Sequence, residues 1–263
     1  MKVLIIVDET PFYQPNFTDL LIRELKAKNF DIYGANVIKI DKKNNIEKYL
    51  ISKFYRLFLS EILILSFKKI LFTLFSFIFP DGFKRNFFSV KSVFKKNGTP
   101  FFSIKKNINE NKYIEKIMNL NLDFIINSSS LIFGKEILNV PKYTCLNRHT
   151  SLLPSYAGLW PVLQAISNNE QETGVTIHQM TSKIDSGKIY SQKKIDISNN
   201  KNVSQIYKIA FKISSGLVVD AIENLTNGKE PSIESIVKRK SSYYSFPTKV
   251  DWSNFRKNGG KFA

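Results

Sequence analysis

The 263-residue sequence predicts an α/β fold: an open, mostly parallel sheet with helices on both faces. Three observations point there. Short apolar runs with almost no interruption, such as residues 2–7 (KVLIIV) and 122–127 (LDFIIN), have the form of strands buried on both faces. Segments with helical spacing of apolar residues lie between such runs, so strand and helix alternate along most of the chain. The composition, 43 % hydrophobic and 23 % charged, is that of a globular protein and excludes a disordered or collagen-like chain. The length suits one large domain, or one domain with an appendage, and such a chain needs no disulfide or metal to hold it together.

The elements follow in order. Strand 2–7 leads into a helix over 16–28, with Phe17, Leu20, Leu21 and Leu25 at helical spacing and Asn16 placed to cap it. Residues 31–40 supply the second strand and complete a βαβ opening. Near residue 50 the composition changes. Residues 57–80 (LFLSEILILSFKKILFTLFSFIFP) are the most hydrophobic stretch, closed by Pro80-Asp81-Gly82. Their length would allow a membrane span. Glu61, Lys68 and Lys69 lie inside it, however, and each such charge costs about 2.5–3.5 kcal/mol at the centre of a membrane helix. Two buried or interfacial helices are therefore expected, with a peripheral membrane contact through 57–80 as the alternative. Alternation resumes with a strand over 100–104, a helix over 109–119, a strand over 122–127 and a short helix near 134–139. Strands over 142–147 and 174–180 flank a helix over 159–168, and 188–197 is extended. A long helix spans about 203–226 and stops at Asn227-Gly228. The tail carries one strand, 233–238, and otherwise reads as irregular. The expected organisation is a body over 1–200 with a helical insertion over about 50–98, then a C-terminal helix and extension over 201–263.

The net charge is +17, and residues 51–106 hold 11 Lys or Arg against only Glu61 and Asp81. Such an excess suits nucleic acid, a phosphorylated ligand or an anionic lipid surface. Compositional drift toward Lys, Asn, Ile and Phe accounts for the charge equally well. The single cysteine, Cys145, excludes an intrachain disulfide and a zinc site of paired cysteines. The N-terminal apolar run ends at Asp8-Glu9 and does not have the form of a signal peptide, so a cytoplasmic location is expected.

Sequence signatures for a phosphate-binding loop, a dinucleotide fingerprint, a zinc protease and a nucleophile elbow are missing. Polar chemistry concentrates in the second half. The only two histidines, His149 and His178, flank its strands. Asn147 ends the strand over 142–147 and His149 follows two positions on, so both project to one side of extended chain. Asp185 lies in the loop after the strand that holds His178. An amide that donates to a developing oxyanion, an imidazole that takes a proton and a carboxylate that orients it form a plausible acyl-transfer set. By spacing alone the same residues also fit a strand end, a satisfied turn histidine and an Asx-turn.

The wider pattern decides between these. It runs N-x-H-x-S-x-L-P (Asn147, His149, Ser151, Leu153, Pro154), then Gly158, then Glu172-Thr173-Gly174-Val175-Thr176 with His178 and Met180, then Asp185, Gly187 and Ile189. This segment resembles the 10-formyltetrahydrofolate-dependent formyltransferases, which include glycinamide ribonucleotide transformylase, methionyl-tRNA formyltransferase and the sugar N-formyltransferases. The motif similarity covers about residues 120–195, and closest in character are formyltransferase-like proteins without an assigned acceptor. The resemblance implies a Rossmann-like fold and the co-substrate 10-formyltetrahydrofolate, with no metal. Asn147, His149 and Asp185 would be catalytic. The pteridine would lie against Ser130, Leu131, Ile132 and Phe133 and the loop of Ile184, Asp185 and Gly187. His178 would be structural support.

Departures bear on the acceptor. Arg148 replaces the aliphatic residue common between the Asn and His, and would meet an anionic ligand, cap the pocket or reach solvent. Thr150 and Ala157 also differ, and the lack of Arg at 157 removes a phosphate contact. The first loop has Asp8-Glu9 rather than phosphate-receiving glycines, so Asp8 or Glu9 would hold an amine. Only 67 residues follow Asp196, too few beside the long helix for the barrel that the resemblance gives methionyl-tRNA enzymes. The expected acceptor is thus the primary amine of a small molecule, a nucleotide-linked amino sugar. Methionyl-tRNA is the alternative, and a non-catalytic or membrane-docked module a further one. A homodimer stays open. If the tail serves only substrate or dimer contacts, deleting 229–263 spares folate binding; insolubility would instead place it in the core.

Overall fold

Short runs of β-branched and aromatic residues give a parallel sheet, and two antiparallel strands extend it. The computed structural model describes residues 1–10, 12–38, 57–84, 86–228, 232–233 and 239–263. Strands β1 (Lys2–Asp8), β2 (Asp31–Val37), β3 (Phe101–Ile104), β4 (Phe124–Ser128) and β5 (Thr144–His149) are mutually parallel where they pair. A two-residue strand β6 (Ala157–Gly158) stands apart. β7 (Glu172–Gln179) pairs antiparallel with β5, β8 (Ile189–Asp196) antiparallel with β7, and β9 (Ser232–Ile233) parallel with β8. The resulting eight-stranded order is β3-β2-β1-β4-β5-β7-β8-β9. The mixed, mostly parallel α/β sheet is the expected class.

Alternation along each strand splits the core between the two faces. On one face Val3, Ile5, Val7, Ile126 and Leu146 meet helices α1 (Gln14–Ala27), α3 (Val90–Lys96), α6 (Pro161–Ser167) and α7 (Val203–Thr226), and helix α2 (Leu59–Ile78) adds Ile62 and Leu65 at the edge of the same cluster. On the other face Leu4, Ile6, Ile125 and Cys145 meet α4 (Asn111–Met118) and α5 (Lys135–Leu138). Residue parity on β5 therefore assigns its polar end: Asn147 and His149 share the Cys145 side, and Arg148 shares the Leu146 side.

Several expectations are corrected. The first helix begins at Gln14 with Pro15 in its first turn, and Asn16 does not cap it. The stretch 57–80 forms one helix, α2, and most of its apolar side chains are exposed rather than buried. It is held by Ile62 and Leu65, packed against the main cluster, and by Glu61, which is buried and whose two oxygens accept from Arg256 at 2.8 and 2.6 Å. The tail is not irregular. Strand β10 (Tyr243–Tyr244) pairs with β6, and helix α8 (Lys249–Lys257) follows, opened by a Thr248/Asp251 capping box. Trp252 and Phe255 of α8 are buried in the main cluster, so this part of the tail belongs to the core. Of the strand expected over 233–238, residues 234–238 lie outside the described residues, as do 39–40 of the second strand and 50–56 of the expected insertion.

Candidate active site

β5 ends at His149, one residue pair further than expected, and delivers Asn147 and His149 to the same face. β7 pairs across from it in a register that sets His178 opposite Asn147. The β7–β8 loop brings Asp185 back over this end of β5. Gly187 is required in that loop, because a Cβ there would sit 2.0 Å from the Gln179 carbonyl oxygen. Asp185 turns the chain at φ 49°, in the left-handed region that Asp tolerates better than most residues.

The hydrogen bonds give each group a direction. Asn127 Oδ1 accepts from Ser129 N at 3.2 Å and from Ser129 Oγ at 2.6 Å. Its Nδ2 is thus the donor to Asn147 Oδ1, at 2.9 Å. That fixes the Asn147 amide with Nδ2 toward His178 Nε2, at 3.2 Å. His178 Nδ1–H donates to the Gln179 carbonyl at 2.8 Å, so Nε2 accepts from the amide. One hydrogen of Asn147 Nδ2 is used by His178; the second is available to a ligand oxygen.

His149 is held from the other side. Its Nε2–H donates to the Tyr156 carbonyl at 2.9 Å, which leaves Nδ1 as the basic nitrogen. Nδ1 is 3.5 Å from Asp185 Oδ2, while Asp185 Oδ1 is 3.4 Å from His178 Nε2. Gly158 N donates to Asp185 Oδ2 at 2.9 Å. Burial pushes the His149 imidazole below its ordinary range, against the opposing pull of Asp185, so it is neutral at neutral pH. Burial alone would raise the Asp185 carboxyl, but the His178 and His149 rings beside it and the hydrogen bond from Gly158 N outweigh it and hold the group at about 2. A neutral imidazole facing an ionised carboxylate is poised to take a proton at Nδ1.

Tyr156 and Gly158 act through a loop whose alternate residues Tyr156, Gly158 and Trp160 all have positive φ, a concentration of backbone strain of the kind found at functional sites. The tail holds this loop. Ser155 Oγ donates to the Lys240 carbonyl, Tyr156 N to Ser242 Oγ, and Leu159 N to the Tyr244 carbonyl. A Cβ at Gly158 would come within 2.2 Å of that last oxygen. The sequence reading missed Asn127 and the 240–244 segment as positioning elements, and took His178 as support without its bond to Asn147.

The remaining expected residues divide. Phe133 is buried in the second core cluster, and only its backbone is open to a ligand role. Ile132 and Ile184 are exposed, and Ser130 N donates to Asp8 Oδ2. Leu131 and Met180, one from each loop, pack against that same cluster. The two loops therefore border the face that carries Asn147 and His149. Arg148 does not join them. It points to the opposite face, 3.8 Å from the Phe211 ring centroid, bonded to Ser128 Oγ and Thr150 Oγ1, and burial lowers its guanidinium to about 10. Glu9 is committed elsewhere as well. Its carboxylate accepts from Asn36 Nδ2, Val90 N and Lys91 N, where it caps α3. Among the described residues no cluster of His, Cys, Asp and Glu is arranged to hold a metal ion. A groove of about 700 Å³ lined by Ile114, Met118, Leu122 and Val140 lies near the start of β4, away from these groups.

The sequence pattern of the formyl transferase family matches residues 83–222. The methionyl-tRNA formyltransferase of Thermotoga neapolitana is 35 % identical over 141 residues, which are 53 % of this chain and 45 % of that protein. The chain spans about half the length of the curated relatives it matches. A sugar N-formyltransferase from Shewanella sp FDAARGOS_354 superposes with a TM-score of 0.57 at 18 % identity, covering 98 % of this chain and 87 % of that one. A sugar 3N-formyl transferase solved in the presence of dTDP and 5-N-formyl-THF gives 0.56 at 15 % identity, covering 98 % and 78 %. With the family pattern running from the end of the α2 region through β3, β4, β5, β7 and β8 into α7, the chain belongs to the formyl transferase family.

Proposed function

We propose that the protein transfers a formyl group from 10-formyltetrahydrofolate to the primary amine of a small acceptor, with Asn147, His149 and Asp185 as the catalytic groups. One observation carries this reading: the Asn147 amide is locked by Asn127 and His178 so that a donor hydrogen remains for an oxygen on the face shared with His149. The residues present fit the folate. The exposed Ile132 and Ile184 offer apolar cover to a flat heterocycle, and the loops that bear them border one sheet face. When bound, 10-formyltetrahydrofolate supplies an electrophilic formyl carbon on a nitrogen that leaves. Asn147 Nδ2 donates to the formyl oxygen as negative charge gathers there, a contribution on the scale of about 100- to 1,000-fold in rate. His149 takes the proton of the attacking amine at Nδ1. Asp185, ionised and 3.5 Å away, stabilises the imidazolium that results.

The small acceptor, with a nucleotide-linked amino sugar as first candidate, is supported by the likeness in fold to sugar N-formyltransferases, which extends over 98 % of this chain. The described residues beyond Asp196 form α7, β9, β10 and α8, of which α7 and α8 pack on the body and β10 on the loop that orients His149. Asp8 is the remaining candidate carboxylate for the amine, next to the folate loop through Ser130. Methionyl-tRNA is the second reading, favoured by the names of the sequence relatives and by the net charge of +17. The experiment is a panel of amines, nucleotide-linked amino sugars and methionyl-tRNA among them, incubated with 10-formyltetrahydrofolate and read by the mass of one added formyl group. Formylation of a small amine, indifferent to added tRNA, is expected. Turnover only of methionyl-tRNA, steeply weakened by salt, would overturn the small-acceptor reading. No formylation of any amine would overturn the reaction.

A further inference from the structure

Helix α2 differs from an ordinary surface helix in being apolar on both its inward and its outward side. Packing normally hides the apolar side and leaves charge in water. Here the inward side packs Ile62 and Leu65 against the main cluster and Phe72 against Phe12 and Phe88, beside Glu61, held by Arg256 and by the N–H groups of Phe58 and Phe262, and Lys68, which lines a cleft with Arg23, Lys208 and Lys212. The outward side carries Leu59, Leu63, Phe67, Ile70, Leu74 and Phe77. Their spacing of three or four residues makes one unbroken stripe along a helix about 30 Å long, and each is between 49 % and 87 % exposed. A contiguous apolar face of this extent on a folded chain marks an interaction surface.

We propose that this stripe is an interfacial membrane anchor that lays α2 on an anionic lipid surface. Charge chooses the occupant. Lys69 flanks the stripe on the same helix, Lys84 sits over the Phe83 ring where the chain turns after it, and Lys208 and Lys212 are exposed beside the adjoining cleft. These cations would lie at the level of lipid phosphates when the stripe is buried about 5–10 Å into the headgroup boundary. A second copy of the chain would instead bring the same lysines of two +17 molecules together. Spanning is not available to the helix: among the described residues none is long and apolar enough to cross a membrane. The Glu61–Arg256 pair and the inward packing of Ile62, Leu65 and Phe72 hold α2 on the body and leave its second apolar side facing outward.

The test is flotation of the full chain with vesicles of phosphatidylcholine alone and of phosphatidylcholine with phosphatidylglycerol, together with sedimentation in the absence of lipid. A Phe67→Ser/Ile70→Ser/Leu74→Ser variant changes exposed side chains only and touches none of the catalytic groups. The expected result is co-flotation with the anionic vesicles, at least tenfold weaker for the triple variant, and a blue-shifted emission from Phe77→Trp on adding them. Absence of co-flotation with anionic vesicles, equal binding by the triple variant, or a lipid-indifferent dimer that the variant converts to monomer would each overturn the proposal.

Discussion

An Asn127→Asp substitution tests the hydrogen-bond chain that aims the Asn147 amide. In the native site Asn127 Oδ1 is saturated by Ser129, so Nδ2 must face Asn147 Oδ1 at 2.9 Å. Aspartate keeps the acceptor toward Ser129 but sets a second oxygen against Asn147 Oδ1. The Asn147 amide then turns over, giving Nδ2 to the introduced carboxylate and its oxygen to His178 and the ligand. The buried carboxylate retains three donors, so the fold is expected to survive. What is lost is one donor to the developing oxyanion, worth about 100- to 1,000-fold in kcat, or about 2.7–4 kcal/mol. The assay is steady-state and single-turnover formyl transfer to the acceptor found by the amine panel, with binding of a folate analogue measured alongside. The expected pattern is a fall in kcat with KM for the folate changed less than about threefold, because the donor acts on charge that exists only in the transition state. A kcat within about threefold of the unmodified protein, in a variant that still binds the analogue, would refute the idea that Asn127 sets the amide's direction.

Asn147→Ala and His149→Ala are each expected to reduce turnover at least about 100-fold; near-normal rates in either would remove that residue from the reaction. The lowered His149 requires that the acid limb of the rate profile fall below its ordinary value of 6.5, as protonation at Nδ1 destroys the base. A limb at or above that value would count against His149 in kcat/KM measurements from about pH 4.5 to 8. Asp185, held at about 2 against an ordinary 3.8, contributes about 2 kcal/mol of stability that is present above about pH 4 and lost as pH falls toward 2; Asp185→Asn should flatten acid unfolding over that window. Arg256→Ala leaves the Glu61 carboxylate buried without its guanidinium and should cost about 3–5 kcal/mol in urea unfolding. A cost below about 1 kcal/mol would show that α2 is held by other contacts.

The legible parts of the molecule were those where one residue type answers one local demand. Apolar runs gave the strands of the sheet, and Asn227-Gly228 gave the end of α7. Pro15 marked the true start of α1 more faithfully than Asn16, because a fixed φ in the first turn outweighed a capping side chain that found no target. Thr248 and Asp251 wrote a capping box that the aromatic, glycine-bearing surroundings obscured. At the site, Asn147, His149 and Asp185 were recognisable through the motif, whereas Arg148, a pocket residue by expectation, is turned by parity along β5 to the opposite face. Asn127 was not recognisable, since its role arises from the pairing of β4 with β5 across many residues of chain. The exposed side of α2 was equally hidden: on a helix apolar on both sides, hydrophobicity alone cannot tell which side the rest of the protein will cover, and Glu61 finds Arg256 only through the tertiary fold.

The clamp on the Tyr156–Gly158 loop has a temporal side. Tyr156 N reaches a hydroxyl on Ser242, 86 residues further along, and the Leu159 amide reaches the Tyr244 carbonyl beyond it. A growing polypeptide therefore has Asn147, His149 and Asp185 translated before the residues that hold the Tyr156–Gly158 loop. The setting of the Tyr156–Gly158 loop is tied to a segment made late, and a product cut short before Ser242 keeps Asn147 locked by Asn127 and His178 but lacks the contacts that hold the loop behind His149.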